Sequence, residues 1–301
     1  MKKELYNFIA KKIPKEDKAK KSIFQSILGI VYDLNIDEKI ILDWIKDAEN
    51  DNIFKTLNFI NGGNWINEVK NKNYIPFMVE LFECRPIGLG TPNAACGEGE
   101  LMMILSSKKI FRPTKNDIKI DGQTFNLKND EPRFFAEVTG KELNKKLIEI
   151  CKKSGFTPNL FKGKEYVQIL NKKFVEEHWN KQFEKTEISK VQELLITFLF
   201  NLFPEKNIKK EDIKNIINNV IINNKLVWDL WVKEVIIFLF KNGNNKNENY
   251  VLMNVNGLVN KIPSDLNNFI SLINDNKILF SQDYFRMFQD KKVGIYIKFV
   301  N

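Results

Sequence analysis

The chain has 301 residues, of which 43% are hydrophobic and 28% charged, a balance typical of globular proteins with one large domain or two small ones. No apolar run reaches the roughly 20 residues that a membrane-spanning helix needs, which argues against a membrane protein. The opening Met1-Lys2-Lys3-Glu4 lacks the apolar core of a signal peptide. We therefore expect the protein in a cytoplasm, or in a particle assembled there.

The net charge of +9, with a pI of about 9.2, has two explanations. A positive surface attracts nucleic-acid phosphates and releases their counterions on binding. Alternatively, the abundance of Lys, Asn and Ile reflects AT-rich coding DNA, since lysine supplies nearly all of the positive charge. Composition alone leaves both explanations open.

Soft metal ligands are scarce. The three cysteines are far apart in the chain, without a Cys-x-x-Cys pair, and His178 is the single histidine. A disulfide framework and a zinc site are therefore disfavoured. Any metal would be held by oxygen atoms, a donor set that favours Mg²⁺ or Mn²⁺.

The predicted elements change character along the chain. Apolar residues at helical spacing predict helices over residues 1–75, and the Gly- and Pro-rich residues 85–92 predict a loop. A short helix is predicted to begin near Glu98 or Glu100, followed by a β-hairpin over residues 117–128 and a strand over residues 134–138. Helices resume from Lys141 and fill most of the remainder, with late strands at 250–255 and 293–299. These shifts suggest a helical region at 1–75, an α/β core at 76–170 and a mainly helical region at 171–301 with the late strands.

The hairpin carries the most informative polar residues. Alternation along a strand places Phe125 and Leu127 on the buried face, so that Asn126 and Lys128 share the opposite face. Asp117 begins the preceding strand, across the predicted Asp121-Gly122 turn. Glu100 begins the helix just upstream, so four polar side chains are predicted to converge at one end of a small sheet.

Such a group suits phosphodiester hydrolysis. Two carboxylates can hold a divalent cation, which polarises the scissile phosphate and lowers the pKa of a bound water. A nearby lysine can stabilise the developing negative charge. The competing interpretation is an ordinary charged hairpin, with Glu100 favourably placed in the first turn of a helix.

The pattern resembles the PD-(D/E)XK nuclease superfamily, and in particular a phage-type branch. In that branch a Gly-x-Gly-Glu helix start precedes a hairpin of the form Asp, eight residues, Glu-x-Lys. The matching residues here are Gly97-Glu98-Gly99-Glu100 and Asp117 to Lys128, and the similarity covers about 45 residues well. It implies a restriction-endonuclease-like α/β fold with a small mixed sheet flanked by helices. It also implies that Glu100 and Asp117 bind Mg²⁺ or Mn²⁺, that Lys128 is catalytic, and that DNA is the substrate.

One residue departs from the family pattern. Asn126 stands where the resemblance implies an acidic residue, and its amide oxygen can bind a metal but adds no negative charge. Glu137, Glu98 or Asp121 could supply the missing carboxylate, with Glu137 our preferred third metal ligand. Two functions follow, a metal-dependent DNA endonuclease or a catalytically decayed relative. The second would bind DNA or pack in a phage virion, in contact with virion proteins or with further copies of itself.

A basic stretch follows the hairpin. Its lysines lie beside two aromatic residues, Phe161 and Tyr166, and could contact a nucleic acid or simply form an exposed helix face (Lys141, Lys145, Lys146, Lys152, Lys153, Lys162, Lys164).

Overall fold

The structure is a computed structural model of the whole chain. It describes residues 1–13, 17–86, 98–112, 117–129, 133–161, 163–243, 249–280 and 292–299. Within those ranges, no helix combines the length and apolar character needed to cross a membrane.

Helices lie along most of the chain. In chain order they are α1 Lys2–Lys12, α2 Asp17–Asp33, α3 Glu38–Glu49, α4 Trp65–Glu68, α5 Ile75–Glu83, α6 Glu100–Ser106, α7 Gly140–Ser154, α8 Lys172–Phe174, α9 Asn180–Phe183, α10 Ile188–Phe200, α11 Lys210–Val220, α12 Trp228–Asn242 and α13 Leu266–Asn274. A π-helical stretch, Val175–Trp179, joins α8 to α9.

The strands are short. They are β1 Gly63–Asn64, β2 Ile110–Phe111, β3 Ile118–Ile120, β4 Gln123–Asn129, β5 Arg133–Thr139, β6 Asn159–Phe161, β7 Lys164–Tyr166, β8 Ile221–Ile222, β9 Lys225–Leu226, β10 Asn249–Met253, β11 Leu258–Ile262, β12 Ile278–Phe280 and β13 Lys292–Phe299. The predicted hairpin, the strand after it and both late strands are confirmed. The sequence did not predict the remaining strands, which are β1, β2, β6 to β9, β11 and β12.

The chain folds into two compact units, and each unit is assembled from two separate segments. The first contains Met1–Glu131 and Glu248–Ser264, and the second contains Pro132–Asn247 and Asp265–Asn301. These units do not follow the three regions suggested by the sequence, because residues 76–170 contribute to both.

The first unit is built on a six-stranded mixed sheet in the order β1-β11-β10-β4-β3-β2. β10 runs parallel to β4, and the other neighbouring strands are antiparallel. One apolar cluster unites the sheet with the helices of this unit, and it includes Leu101 to Leu105 of α6 together with Ile118, Phe125 and Leu127. The α6 helix therefore packs on the sheet face that carries Phe125 and Leu127.

The second unit contains helices α7 to α13 and smaller sheets. β5 pairs with β13, which pairs with β12, and two further hairpins are formed by β6–β7 and β8–β9. Aromatic rings fill its centre, where Phe240 and Phe269 stack with ring centroids 4.0 Å apart and Phe134 meets Phe240 edge-on. The protein is thus a mixed α/β protein, in which the predicted helical and sheet-forming segments both occur.

Candidate functional site

The β3–β4 hairpin positions the predicted site residues through its turn and register. Asp121 and Gly122 form the turn with φ values of 45° and 85°, the left-handed conformation that a two-residue hairpin turn requires. Ile118 lies opposite Phe125, and the Asp117 N–H donates to the Phe125 carbonyl at 3.2 Å. Because successive side chains alternate, Asp117 falls on the face opposite the apolar cluster.

Asp117 and Lys128 form an ion pair on that face. The Lys128 Nζ donates to Asp117 Oδ2 at 3.0 Å, with both side chains partly exposed. The placement of these two residues on one sheet face therefore agrees with the spacing argument. Their partial exposure leaves both groups accessible to a ligand.

Asn126 belongs to the same face of the same strand. Asn126 is 9% exposed, and its neighbour on the parallel strand β10 is Tyr250. The amide is uncharged, so it adds a polar oxygen and nitrogen beside the Asp117–Lys128 pair without changing the local net charge.

Glu100 occupies a different environment. It is the first residue of α6, is only 3% exposed, and lies with Oε1 3.2 Å from Nε of Arg112. Three of the predicted site residues are therefore held in two separate ion pairs, Asp117–Lys128 and Glu100–Arg112. The predicted convergence of Glu100 with the hairpin residues stays a prediction. No pattern in the sequence identifies Arg112 as a partner of Glu100, because Arg112 follows a strand of only two residues.

Glu98, Asp121 and Glu137 were the candidates to supply the carboxylate that Asn126 lacks, and the structure shows the surroundings of each. Glu98 pairs with Arg85. Asp121 is exposed in the hairpin turn, four residues from Asp117, which is about 13 Å along a strand. Glu137 belongs to the second unit, where its carboxylate lies 3.9 Å from Lys206 Nζ and its N–H donates to the Leu202 carbonyl. The turn therefore separates Asp121 from Asn126, and Glu137 is engaged with residues of its own unit.

The donor atoms limit which metal site is possible. Among the described residues, no group of three or more His, Cys, Asp or Glu side chains could hold a metal ion. Mg²⁺ usually retains several waters and takes only one or two protein carboxylates together with substrate phosphates. Asp117 with the Asn126 amide oxygen fits that kind of ion, and it does not fit a cage made of protein ligands alone.

Comparisons with protein-family models, curated proteins and solved structures found no match to this chain.

Proposed function

We propose that the protein is a Mg²⁺- or Mn²⁺-dependent DNA endonuclease of PD-(D/E)XK type, with a restriction-endonuclease-like core built around β3 and β4. The observation that carries the proposal is the placement of Asp117, Asn126 and Lys128 on one sheet face, with Asp117 and Lys128 3.0 Å apart. A carboxylate, an amide oxygen and an ammonium then face the same space, a set that can hold a divalent cation and a phosphate side by side.

Each residue would have a distinct role. Asp117 and Asn126 would hold the cation, which polarises the phosphate and makes a bound water more acidic. When the Asp117 carboxylate serves as a metal ligand, its pairing with the Lys128 ammonium weakens. Lys128 can then donate to the phosphate and stabilise the negative charge that develops on it. Removing one such donor typically lowers turnover by about 10²- to 10³-fold.

Plasmid cleavage with Mg²⁺ or Mn²⁺ tests this proposal. We expect Lys128→Ala and Asp117→Asn to lower turnover by at least about 100-fold. Two matched controls should retain turnover at saturating DNA. Lys119→Ala removes a lysine two residues from Asp117, and Glu137→Gln neutralises a carboxylate that lies against Lys206 in the second unit. Full activity in Lys128→Ala would contradict the catalytic role of this lysine.

A second candidate function is DNA binding without cleavage, as in a decayed nuclease or a virion component. Asp117 pairs with Lys128 and Glu100 pairs with Arg112, so both carboxylates already have a cationic partner. The described residues also contain no group of three or more His, Cys, Asp or Glu side chains that could hold a metal ion. Both observations favour this second function. In this case the wild type binds DNA but does not cut it. Asn126→Glu should then increase Mg²⁺ affinity in calorimetric titrations, since it adds a carboxylate beside Asp117. Absence of DNA binding at low ionic strength would contradict both candidate functions.

A further inference from the structure

A cavity in the second unit lies between one face of α7 and the β6–β7 hairpin. Its volume is ≈ 980 Å³, and its lining includes Lys141, Lys145, Ile148, Lys164 and Tyr166. Three lysines from the basic stretch thus surround a single concave surface, and they come from two different elements. An exposed helix face alone would not bring Lys164 and Tyr166 to the same place.

Helical geometry accounts for the first wall of this cavity. Lys141, Lys145 and Ile148 recur at intervals of four and three residues, which places them along one face of α7. One turn, about 6 Å of helix rise, separates the two lysines. A row of ammonium groups one turn apart can follow successive phosphates of an extended strand.

The second wall is held to the first by specific bonds. The Asn144 side chain of α7 is buried, donates to the Glu165 carbonyl at 3.1 Å and accepts from the Val167 N–H at 2.9 Å. Lys152 of α7 also pairs with the Glu165 carboxylate at 3.1 Å. The cavity is therefore a built feature of the unit, because these bonds tie its two walls together at Glu165 and Val167.

The acidic groups of the lining are already engaged. The Glu142 carboxylate accepts from the N–H and the hydroxyl of Thr139 at 2.9 and 2.8 Å, and these bonds lower its pKa. Glu165 pairs with Lys152. Within the described part of the chain, Lys145 and Lys164 are exposed and form no ion pair, so a ligand with negative charge suits this surface.

We propose that the groove between α7 and β6–β7 binds a single strand of nucleic acid. Lys141, Lys145 and Lys164 contact the phosphates, while the Tyr166 ring and the Ile148 side chain provide an apolar surface for a base. Basic grooves with an aromatic ring bind single strands with little sequence preference. The groove lies in the second unit and needs no metal, so this proposal does not depend on cleavage at the Asp117–Lys128 pair.

The test is fluorescence anisotropy of labelled oligothymidine with the full chain in EDTA, at several salt concentrations. Replacing Lys141, Lys145 and Lys164 together by Ala should weaken binding by about tenfold or more near 0.1 M salt. It should also reduce the slope of log affinity against log salt by about 2, since each phosphate contact on a single strand contributes about 0.7. A control with Lys181, Lys185 and Lys190 replaced by Ala carries the same charge change on the same unit and should bind like the wild type.

Two further measurements separate the competing outcomes. Tyr166→Leu should weaken oligothymidine binding by about tenfold, while Tyr166→Phe keeps the ring and should bind normally. Equal binding by the wild type and the triple groove variant, with both proteins showing the wild-type thermal transition, would overturn the proposal. Tighter binding of labelled polyglutamate than of oligothymidine would overturn it in favour of an acidic protein partner. These measurements are made in EDTA and follow binding rather than turnover, so their result is distinct from that of the cleavage assay.

Discussion

Among the many lysines of this chain, Lys12 is unusual because its amine is half-buried. It donates to the Ser107 carbonyl in the first unit. Burial lowers the pKa of Lys12 to about 8, although the nearby carboxylates of Asp51 and Glu49 act in the opposite direction. The charged form is therefore less favourable in the folded protein than in the unfolded chain, where a lysine keeps a pKa of about 10.4.

This shift predicts a specific pH dependence of stability. Between pH 8 and about 10.4 the unfolded chain binds more protons at Lys12 than the folded protein, so its contribution to the unfolding free energy rises with pH in that window. Because the side chain is only partly buried, solvent screening limits the effect to the order of 1 kcal/mol. The unfolding free energy can be measured by urea denaturation at pH 7.5 and at pH 10. Between these two pH values it should rise less, or fall more, in Lys12→Met than in the wild type.

Lys11→Met is the matched control, because the neighbouring Lys11 is exposed and pairs with Glu49 at 2.9 Å. Its stability should follow the pH dependence of the wild type closely. If Lys12→Met and the wild type change equally between the two pH values, the amine of Lys12 is not destabilised by burial.

At the candidate site, strand alternation was enough to place Asp117 and Lys128 on a common face, because that inference needs only the period of a strand and the position of a turn. The pairing of Glu100 with Arg112 could not be inferred in this way. It depends on how a helix packs across a sheet, and no local pattern in the sequence encodes that contact. The same limit applied to Glu137, whose short separation from Lys128 along the chain gave no sign that it belongs to the other unit.

At the scale of single elements, Gly99 determines where α6 begins. The sequence predicts a helix start near Glu98 or Glu100, and the helix begins at Glu100, directly after Gly99 with its φ of 73°. A Cβ at this position would lie 2.8 Å from Cε2 of Phe82, inside normal contact distance. Both the backbone conformation and the available space therefore favour glycine.

Replacing Gly99 by Ala should destabilise the protein by about 2 kcal/mol, the cost of a left-handed conformation in a residue with a Cβ together with displacement of the Phe82 ring. Urea denaturation measures the change. Gly29→Ala is a suitable comparison, because Gly29 is inside α2 and, apart from its chain neighbours and the adjacent backbone of its own helix, no atom lies within 4 Å of the new Cβ. That substitution should stabilise by about 0.5–1 kcal/mol, and an equal response of both variants would contradict the role assigned to Gly99.

For the molecule as a whole, the sheet of the first unit depends on residues that are distant in sequence. The β3–β4 hairpin was predictable because its two strands are neighbours, joined by a turn with a clear signature. The parallel pairing of β10 with β4 joins residues more than 120 positions apart, as in the pair Val251 and Leu127. Periodicity could identify β10 as a strand, but it could not identify its partner or predict that β11 continues the sheet.

This arrangement predicts that residues 1–131 do not fold independently. Without residues 248–264, β4 loses its parallel neighbour, and the Trp65 indole N–H loses the Asn254 carbonyl that it contacts at 3.0 Å. The buried side chains of Val251 and Val259 are also removed from the apolar cluster. We expect the isolated fragment to aggregate or to show no cooperative urea transition by circular dichroism.

Joining residues 1–131 to residues 248–264 should restore cooperative unfolding. β10 runs parallel to β4 and Asn249 pairs with Phe125, so the linker must return from Asn129 to the level of Phe125. That distance is about 13 Å, the length of four strand residues. A linker of roughly 12 Gly/Ser residues spans about 19 Å and is therefore long enough. The same fusion carrying Val251→Asp is the control and should fail to fold, because Val251 is fully buried in the cluster. A cooperative transition in the fragment 1–131 alone would show that β10 and β11 are dispensable for the first unit. Recovery in the fusion and loss in its Val251→Asp variant would instead identify the packed β10 strand as the element that completes the sheet.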